Sequence, residues 1–459
     1  MAVAIVILLL VIGSLVFHFI SPWWFTPLAS NWSTIDTTIN ITFWVTGIVF
    51  VAVNGFLAYV VFRYRYNKNR RSNYEPENKK LEGWLTLATT VGVVAMLAPG
   101  LFVWAQFVSV PEEAHTVEAI GQQWYWSYRL PGEDKQLGRT AVALVSEENP
   151  FGIDPNDPFG QDDVLIASNE IHLPVNRPTK VLLRSHDVLH NFAVPQFRVK
   201  MDLVPGIVSY LWFTPTKLGQ FDILCEELCG MAHYTMRGRV VVEEEENYQT
   251  WLNQQTTFAQ LLATPPADLT AGKALYTACA ACHGVNGEGN KNLHAPQLAG
   301  QAAWYLERQL SYYKNKIRGT HKDDTYGQQM AAMSAVLPDK TAIRNVSAYI
   351  HSLAVPSSFV KDKTQTGDAE RGEKVFRNCA LCHGSHGEGN RAMNAPNIAQ
   401  QHDWYLKQQI KNYQSNIRGN HSGDIYGAQM ILMSKLLQDD QSIDDLLAYM
   451  NALPTPDNP

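Results

Sequence analysis

Six cysteines stand in three pairs, and each pair has neighbours suited to metal or cofactor chemistry. Cys225 and Cys229 lie in CEELCGMAHYTM with His233 and Met236 behind them, and His190 lies 35 residues upstream of Cys225 in SHDVLHNFAVP. Two thiolates, two imidazoles and a thioether form a soft donor set suited to copper, because Cys and Met select Cu(I) while imidazole suits both oxidation states. A Cys2His2 zinc site would use the same four residues but would leave Met236 without a role. Two cysteines on one loop can instead bridge two copper ions, each completed by one His and one weak ligand. Cys279 and Cys282 in CAACH, and Cys379 and Cys382 in CALCH, are followed directly by His283 and His383. C-x-x-C-H is the attachment signature of a c-type haem. Thiols one helical turn apart can add to both vinyl groups of one porphyrin, and the adjacent His then faces the iron. C-x-x-C alone would also suit a redox dithiol, and the His after both copies argues against that. With the six cysteines so used, none remains for a disulfide.

The two C-x-x-C-H segments belong to a duplication. Residues 271–354 and 371–454 match at an offset of one hundred, so that Gly284, Gly287, Gly289, Pro296, Trp304, Tyr305, Arg318, Tyr326, Met330 and Met333 all recur as the same residue. Two copies are too few for a solenoid. A Met as sixth iron ligand would raise the reduction potential, and each copy offers two candidates three residues apart, Met330 or Met333 and Met430 or Met433. Only one of each pair can reach the iron, leaving the other to packing. His294, His321, His386 and His421 read as surface or propionate-side residues.

The elements that must hold these groups differ along the chain. Short β-type runs at 180–184, 191–195, 207–214, 221–224 and 239–242, separated by Pro, Gly and Asp, read as an all-β sandwich or barrel. After the acidic tetrad 243–246, read as a solvated run, and an Ala/Thr/Pro linker, the composition turns to helix formers. Ahead of the β region lie three apolar stretches, Ala2–Ile20, 41–62 and 83–107, each long enough to cross ~30 Å of hydrocarbon. The first could also be a signal peptide, but it lacks the charged start such a peptide shows. The expectation is therefore three spans with the N-terminus cytoplasmic. Residues 1–62 contain no Lys or Arg and residues 63–80 contain seven, so the positive-inside rule puts that hairpin in the cytoplasm and everything after residue 107 on the far side. The net charge of −6 comes largely from residues 108–267, with 11 basic and 21 acidic side chains, against 19 and 18 in residues 268–459. That balance is the wrong sign for a nucleic-acid binder, and 49 aromatic residues (12 Trp, 19 Tyr, 18 Phe) argue against disorder.

The pattern C-x-E-x-C-G-x-x-H-x-x-M with an upstream D-V-x-H resembles the binuclear copper A site of haem-copper oxidase subunit II. The resemblance implies a cupredoxin-like β-barrel and assigns as ligands His190, Cys225, Glu227 through its backbone carbonyl, Cys229, His233 and Met236. It further implies a magnesium on the Glu227 side chain at the subunit I interface. In GQQWYWSY (121–128) it makes Trp124 the residue that passes electrons to copper, where core packing is the ordinary role of such an aromatic run. It places Glu82, at the edge of the third span, near a proton pathway; a helix N-terminal Glu is also favourable by dipole alone. The family's Arg after Pro-Gly is replaced by Ile207, which puts its docking role in doubt. His186, four residues before His190, falls outside the motif. The duplicated part resembles the diheme cytochrome c4 family, in which the first Met of M-x-x-M is the ligand, implying Met330 and Met430.

Together these resemblances imply a multi-domain membrane protein: transmembrane helices (1–107, with hairpin 63–82), a cupredoxin copper A domain (108–247), a linker (248–267), an all-α cytochrome c domain (268–355), a linker (356–367) and a second cytochrome c domain (368–459). They imply subunit II of a proton-pumping cytochrome c oxidase in a bacterial inner membrane, partnered by subunits I and III. It would be reduced by a cytochrome c or another periplasmic donor, and would carry two haem c and two copper ions. A copper A nitric-oxide reductase, a quinol oxidase and a membrane-anchored electron carrier are the alternatives.

Overall fold

The computed structural model describes residues 2–21, 25–71, 76–146, 149–355, 367–391 and 393–453. It opens with three helices, α1 (Ala2–Ile20), α2 (Ser33–Arg63) and α3 (Lys79–Val108). All three are long and apolar enough to cross a membrane and leave nearly all their side chains exposed, which suits helices whose solvent is lipid. The expected spans 41–62 and 83–107 lie inside α2 and α3, which continue beyond the apolar stretch. The extra turns of α2 are Thr-rich, with Thr37 and Thr38 hydroxyls donating to carbonyls four residues back; leaving lipid does not by itself end a helix. Asn78 starts α3 by accepting from the Leu81 amide at 3.0 Å, an ordinary N-cap. Glu82 lies exposed in its first turn.

Among the described residues eleven strands follow, β1 (His115–Gln122), β2 (Tyr125–Leu130), β3 (Val164–Ile166), β4 (Glu170–Pro174), β5 (Thr179–Ser185), β6 (His190–Val194), β7 (Val199–Leu203), β8 (Ser209–Phe213), β9 (Gly219–Leu224), β10 (Arg237–Glu243) and β11 (Thr256–Thr257). They form a six-stranded sheet, ordered β11-β3-β2-β1-β5-β8, packed on a five-stranded sheet, ordered β4-β10-β9-β6-β7. This is the expected cupredoxin-like sandwich. All five expected runs are strands. β1 and β2 carried no such expectation: β1 is buried along almost its whole length and pairs in parallel with β5, so it lacks the alternation that marks a half-exposed strand. Trp126, Phe192, Phe197 and Phe213 fill the core. A buried Arg129 pairs with Glu118 and Asp163, both at 2.8 Å.

Aromatic and ionic contacts seat the sandwich on the helix ends. Trp32, just before α2, packs on Trp212 and Phe107, and the Tyr210 hydroxyl donates to the Val108 carbonyl. Arg198 forks onto both Asp36 oxygens at 2.6 and 2.9 Å, a bidentate geometry that fixes orientation.

Two expectations between the sandwich and the helical region are corrected. The acidic tetrad is not wholly solvated: Glu243 ends β10 and bonds His172 Nδ1 at 2.5 Å. The segment expected as a linker from residue 248 is folded onto the sandwich as α4 (Glu245–Leu252), β11 and α5 (Phe258–Leu262). It buries Tyr248 and Phe258, two aromatic anchors that composition averaged over the segment conceals.

The duplicated region forms two four-helix units, α6 (Leu269–His283), α7 (Ala303–Lys314), α8 (Thr325–Ser334) and α9 (Lys340–His351), then α10 (Ala369–His383), α11 (Asp403–Gln414), α12 (Ile425–Ser434) and α13 (Asp440–Ala452). First and last helices cross at Gly272 and Gly372, where a Cβ would overlap the carbonyls of Asn345 and Asp445. The linker expected at 356–367 lies, except for residue 367, outside the described residues.

Candidate metal centre and haem pockets

The loop from Cys225 to Met236 joins β9 to β10, and His190 opens β6 beside it. These strands are neighbours in the five-stranded sheet, which brings the distant His to the loop. The ligand atoms of His190, Cys225 and Cys229 lie within 4.8 Å of one another, and all three residues are buried. The two sulfurs are 3.7 Å apart. His233 Nδ1 and Met236 Sδ lie 3.5 and 3.9 Å from Cys229 Sγ, and the Glu227 carbonyl lies 3.2 Å from Cys225 Sγ. Every residue expected as a copper ligand is therefore brought to one place, and His186 is outside the group.

The surroundings orient these donors. His190 Nε2 bonds Asp187 Oδ1 at 2.7 Å, and the buried Nδ1, which faces the cluster, has no hydrogen-bond partner among the described residues. Such an orphaned ring nitrogen, with its opposite nitrogen held by a carboxylate, is the arrangement of a metal-ligating His. Burial pushes the Asp187 carboxyl up, but hydrogen bonds from His190 and from the Gln123 and Val188 amides outweigh this and keep it below the usual carboxylate range. The hydrogen bond between the thiols holds Cys225 well below the ordinary thiol range and pushes Cys229 up; metal binding to such a pair requires both thiols to lose their protons. The Cys229 carbonyl accepts from Gln123 Nε2 at 2.7 Å and Trp124 Nε1 at 3.2 Å. Trp124 thus touches the loop from beneath and is only 6% exposed. Thiolates at the centre with a thioether and a carbonyl at the rim fit copper better than a tetrahedral zinc.

In the helical units, Asp268 and Asp368 cap the first helices, and Gly284 and Gly384 end them at φ of 82° and 84°, a region a side chain disfavours. His283 and His383, at the last positions, are buried with Nδ1 2.8 Å from the carbonyls of Pro296 and Pro396. Burial lowers both imidazoles, outweighing those carbonyls, and a neutral ring is the form that binds metal. Cys279, His283, Cys379, Cys382, His383, Met330 and Met430 line one continuous cavity spanning both units. Met333 is 42% exposed, and Met433, which lines the cavity beside Met430, accepts a hydrogen bond from the Tyr234 hydroxyl at 3.2 Å. His294 stacks on Tyr326 with ring centroids 4.0 Å apart, and His321 and His421 accept from nearby backbone amides.

Several residues that line or flank these sites carried no expectation. Arg318 and Arg418 are buried in the cavity and reach across the pseudo-symmetric interface to Tyr405 and Tyr305. Their Nε atoms have no partner among the described residues, and a guanidinium with an unused donor fits a carboxylate-bearing group such as a haem. Both recur at the offset of one hundred, which was the available signal. Asp187 stands three residues before His190 in the quoted motif, and no spacing rule gives that Asp a role.

Comparison with known proteins follows this division. Residues 115–244 match the family model for the periplasmic domain of cytochrome c oxidase subunit II, and residues 269–354 and 369–454 each match cytochrome c. The alternative cytochrome c oxidase subunit 2 of Bradyrhizobium diazoefficiens is 60% identical over 261 residues, 57% of this chain and 94% of that protein. The cytochrome c oxidase subunit 2 of Cereibacter sphaeroides is 30% identical, covering 46% of this chain and 75% of that protein. The crystal structure of cytochrome c4 from Pseudomonas stutzeri covers 41% of this chain and all of its own at 27% identity and a TM-score of 0.34. The chain belongs to the cytochrome c oxidase subunit II family, as a membrane-anchored electron-transfer subunit of that enzyme whose periplasmic domain implies copper A and whose cytochrome c domains imply haem c.

Proposed function

We propose that this chain is the electron-input subunit of a proton-pumping oxidase in a bacterial inner membrane. One electron at a time would pass by way of two c-type haems, one on Cys279/Cys282 and one on Cys379/Cys382 in either order, to a two-copper centre, then to subunit I for reduction of oxygen. The observation that carries this reading is the convergence of His190, Cys225, Cys229, His233, Met236 and the Glu227 carbonyl at one end of the sandwich. When bound, the copper pair and the haems supply one-electron storage at small structural cost. The chain's own residues do the rest. Asp187 sets the His190 tautomer. The Pro296 and Pro396 carbonyls accept from Nδ1 of His283 and His383, so that Nε2 of each would be the nitrogen left to hold a haem iron, with Met330 and Met430 as the further residues that would hold it. Trp124 sits on the Cys229 carbonyl as the route to copper. The Glu227 side chain is assigned to a magnesium against subunit I, and Glu82 to the membrane edge of a proton path. The three helices anchor the chain with the basic hairpin in the cytoplasm, beside subunits I and III, and a periplasmic cytochrome c or similar one-electron carrier is the donor.

The test is metal and haem analysis of the purified complex with its near-infrared spectrum. Two coppers with a mixed-valence band and two haem c per chain are expected. Zinc, one copper or one haem would overturn the reading, and turnover of nitric oxide without oxygen would reassign the acceptor.

A further inference from the structure

The two cytochrome units are near copies, yet their surroundings differ. Gln429, on α12 of the second unit, donates through Nε2 to the Trp124 carbonyl at 2.6 Å. Met433, one turn further on, takes the Tyr234 hydroxyl at 3.2 Å. The Tyr426 ring meets Tyr125 edge-on with centroids 6.4 Å apart, and Cys382 and Met393 pack against the buried core of the sandwich. The same positions in the first unit are Gln329, Tyr326 and Met333, identical residue types, and all three are exposed.

The Met433 contact ends on the copper loop itself, and the Gln429 contact ends on Trp124, which bonds to that loop. Tyr234 directly follows His233, whose Nδ1 is 3.5 Å from Cys229 Sγ. Trp124 donates to the Cys229 carbonyl. Trp124 and Thr235 line the same cavity as Cys382, Met430 and Met433. The first unit joins that cavity from the other side, through Arg318 to Tyr405 and Arg418 to Tyr305.

We propose that electrons travel in one order: into the first cytochrome unit through the exposed face around Gln329 and Met333, across to the second, and from it to the copper pair over the contacts of Met433 with Tyr234 and of Gln429 with Trp124. Each transfer moves one electron and breaks no bond. The iron held by His383 goes from ferrous to ferric as the oxidised copper pair gains the electron, and the first unit then reduces that iron again. Trp124 is thereby closed to an outside donor. The inference rests on the reading that both C-x-x-C-H motifs carry haem and that Cys225 and Cys229 hold copper.

The assembled complex, kept anaerobic, is reduced by a flash of a small ruthenium photoreductant and followed at the haem α band and the near-infrared copper band. This reads arrival at copper apart from oxygen turnover. Gln429→Arg, which inserts a charge into the contact, is expected to slow the haem-to-copper phase by about tenfold, about 1.4 kcal/mol of barrier. Tyr234→Phe loses a single hydroxyl and is expected to slow it by about threefold, the scale of one hydrogen bond. Gln329→Arg leaves that phase unchanged. Backbone hydrogen exchange in the full chain gives a second readout independent of electron flow: residues 229–236 exchange faster in Gln429→Arg and as in the parent in Gln329→Arg. An unchanged copper phase in Tyr234→Phe and Gln429→Arg, or an equal slowing by Gln329→Arg, overturns the order. Absence of the copper band or of one haem in the parent chain sinks the underlying reading instead.

Discussion

Asp187 stands outside the cluster of His190, Cys225 and Cys229, yet it holds the His190 ring. Its Oδ1 holds His190 Nε2, and its other oxygen accepts from the Gln123 amide, so one carboxylate joins the His to the segment carrying Trp124. Replacing such a partner of a metal-bound His typically costs 10–100-fold in affinity, so Asp187→Ala should lower copper affinity by about that factor. Chelator competition on the full chain measures it, and Asp187→Asn, which keeps an acceptor, should recover part of the loss. An affinity unmoved by Asp187→Ala would contradict the role. At this scale much of the site was legible: the copper loop spans a dozen residues and each haem motif five, so spacing alone exposes them. Asp187 was not legible, because its role comes from a side-chain bond that no periodicity marks. Nor were Met330 and Met430 separable from Met333 and Met433 by spacing, since both members of each pair sit on one helix three residues apart.

At the level of elements, α4 shows how a segment with a loop-like composition becomes structure. Its Trp251 stacks on His172 of β4 with ring centroids 4.4 Å apart and planes 10° from parallel. Burial lowers the His172 imidazole, but hydrogen bonds to Glu170 and Glu243 outweigh it and raise it above its ordinary value. The folded state therefore holds this proton more tightly than the unfolded chain. The stabilisation is fully present below the unfolded His pKa of about 6.5 and is lost as pH rises through the folded value. Hydrogen exchange in α4 should accelerate as pH climbs across that window, beyond the intrinsic rate, and His172→Gln should flatten the dependence. A parent chain with no such window would refute the assignment. The tetrad looked solvated because a charge run is usually a free face. Only the parallel pairing of β10 with β4 carries Glu243 to within reach of His172.

On the scale of the whole molecule, the two cytochrome units are joined by polar side chains that cross in both directions. Arg318 reaches Tyr405 and Gln409, and Arg418 reaches Tyr305 and Gln309, at 3.0–3.2 Å. Hydrogen bonds to charged groups contribute about 1.5–3 kcal/mol each, and removing one partner leaves the others buried and unpaired. Arg418→Gln should therefore uncouple the units, dividing one calorimetric transition of the cytochrome region into two, with the second unit melting lower. A single transition at the parent temperature would show that the crossing bonds do not couple them. The same molecule-wide view explains why identical residues at an offset of one hundred have different surroundings: the copper domain covers one copy and not the other.

The sequence by itself determined what is local. Apolar length dictated three helices able to span a membrane, the basic hairpin gave their expected orientation, and the spacing of Cys, His and Met pointed to copper and haem c chemistry. These are properties of contiguous residues, set by helix rise, side-chain periodicity and donor softness. Tertiary structure decided what is distant: that His190 meets the copper loop through a sheet neighbour, that Asp187 orients it, that residues 248–262 fold onto the sandwich, and that the second cytochrome unit rests on Trp124 and Tyr234. Such pairings depend on how far separated surfaces fit and bury one another, and two nearly identical copies in one chain cannot reveal which of them is covered.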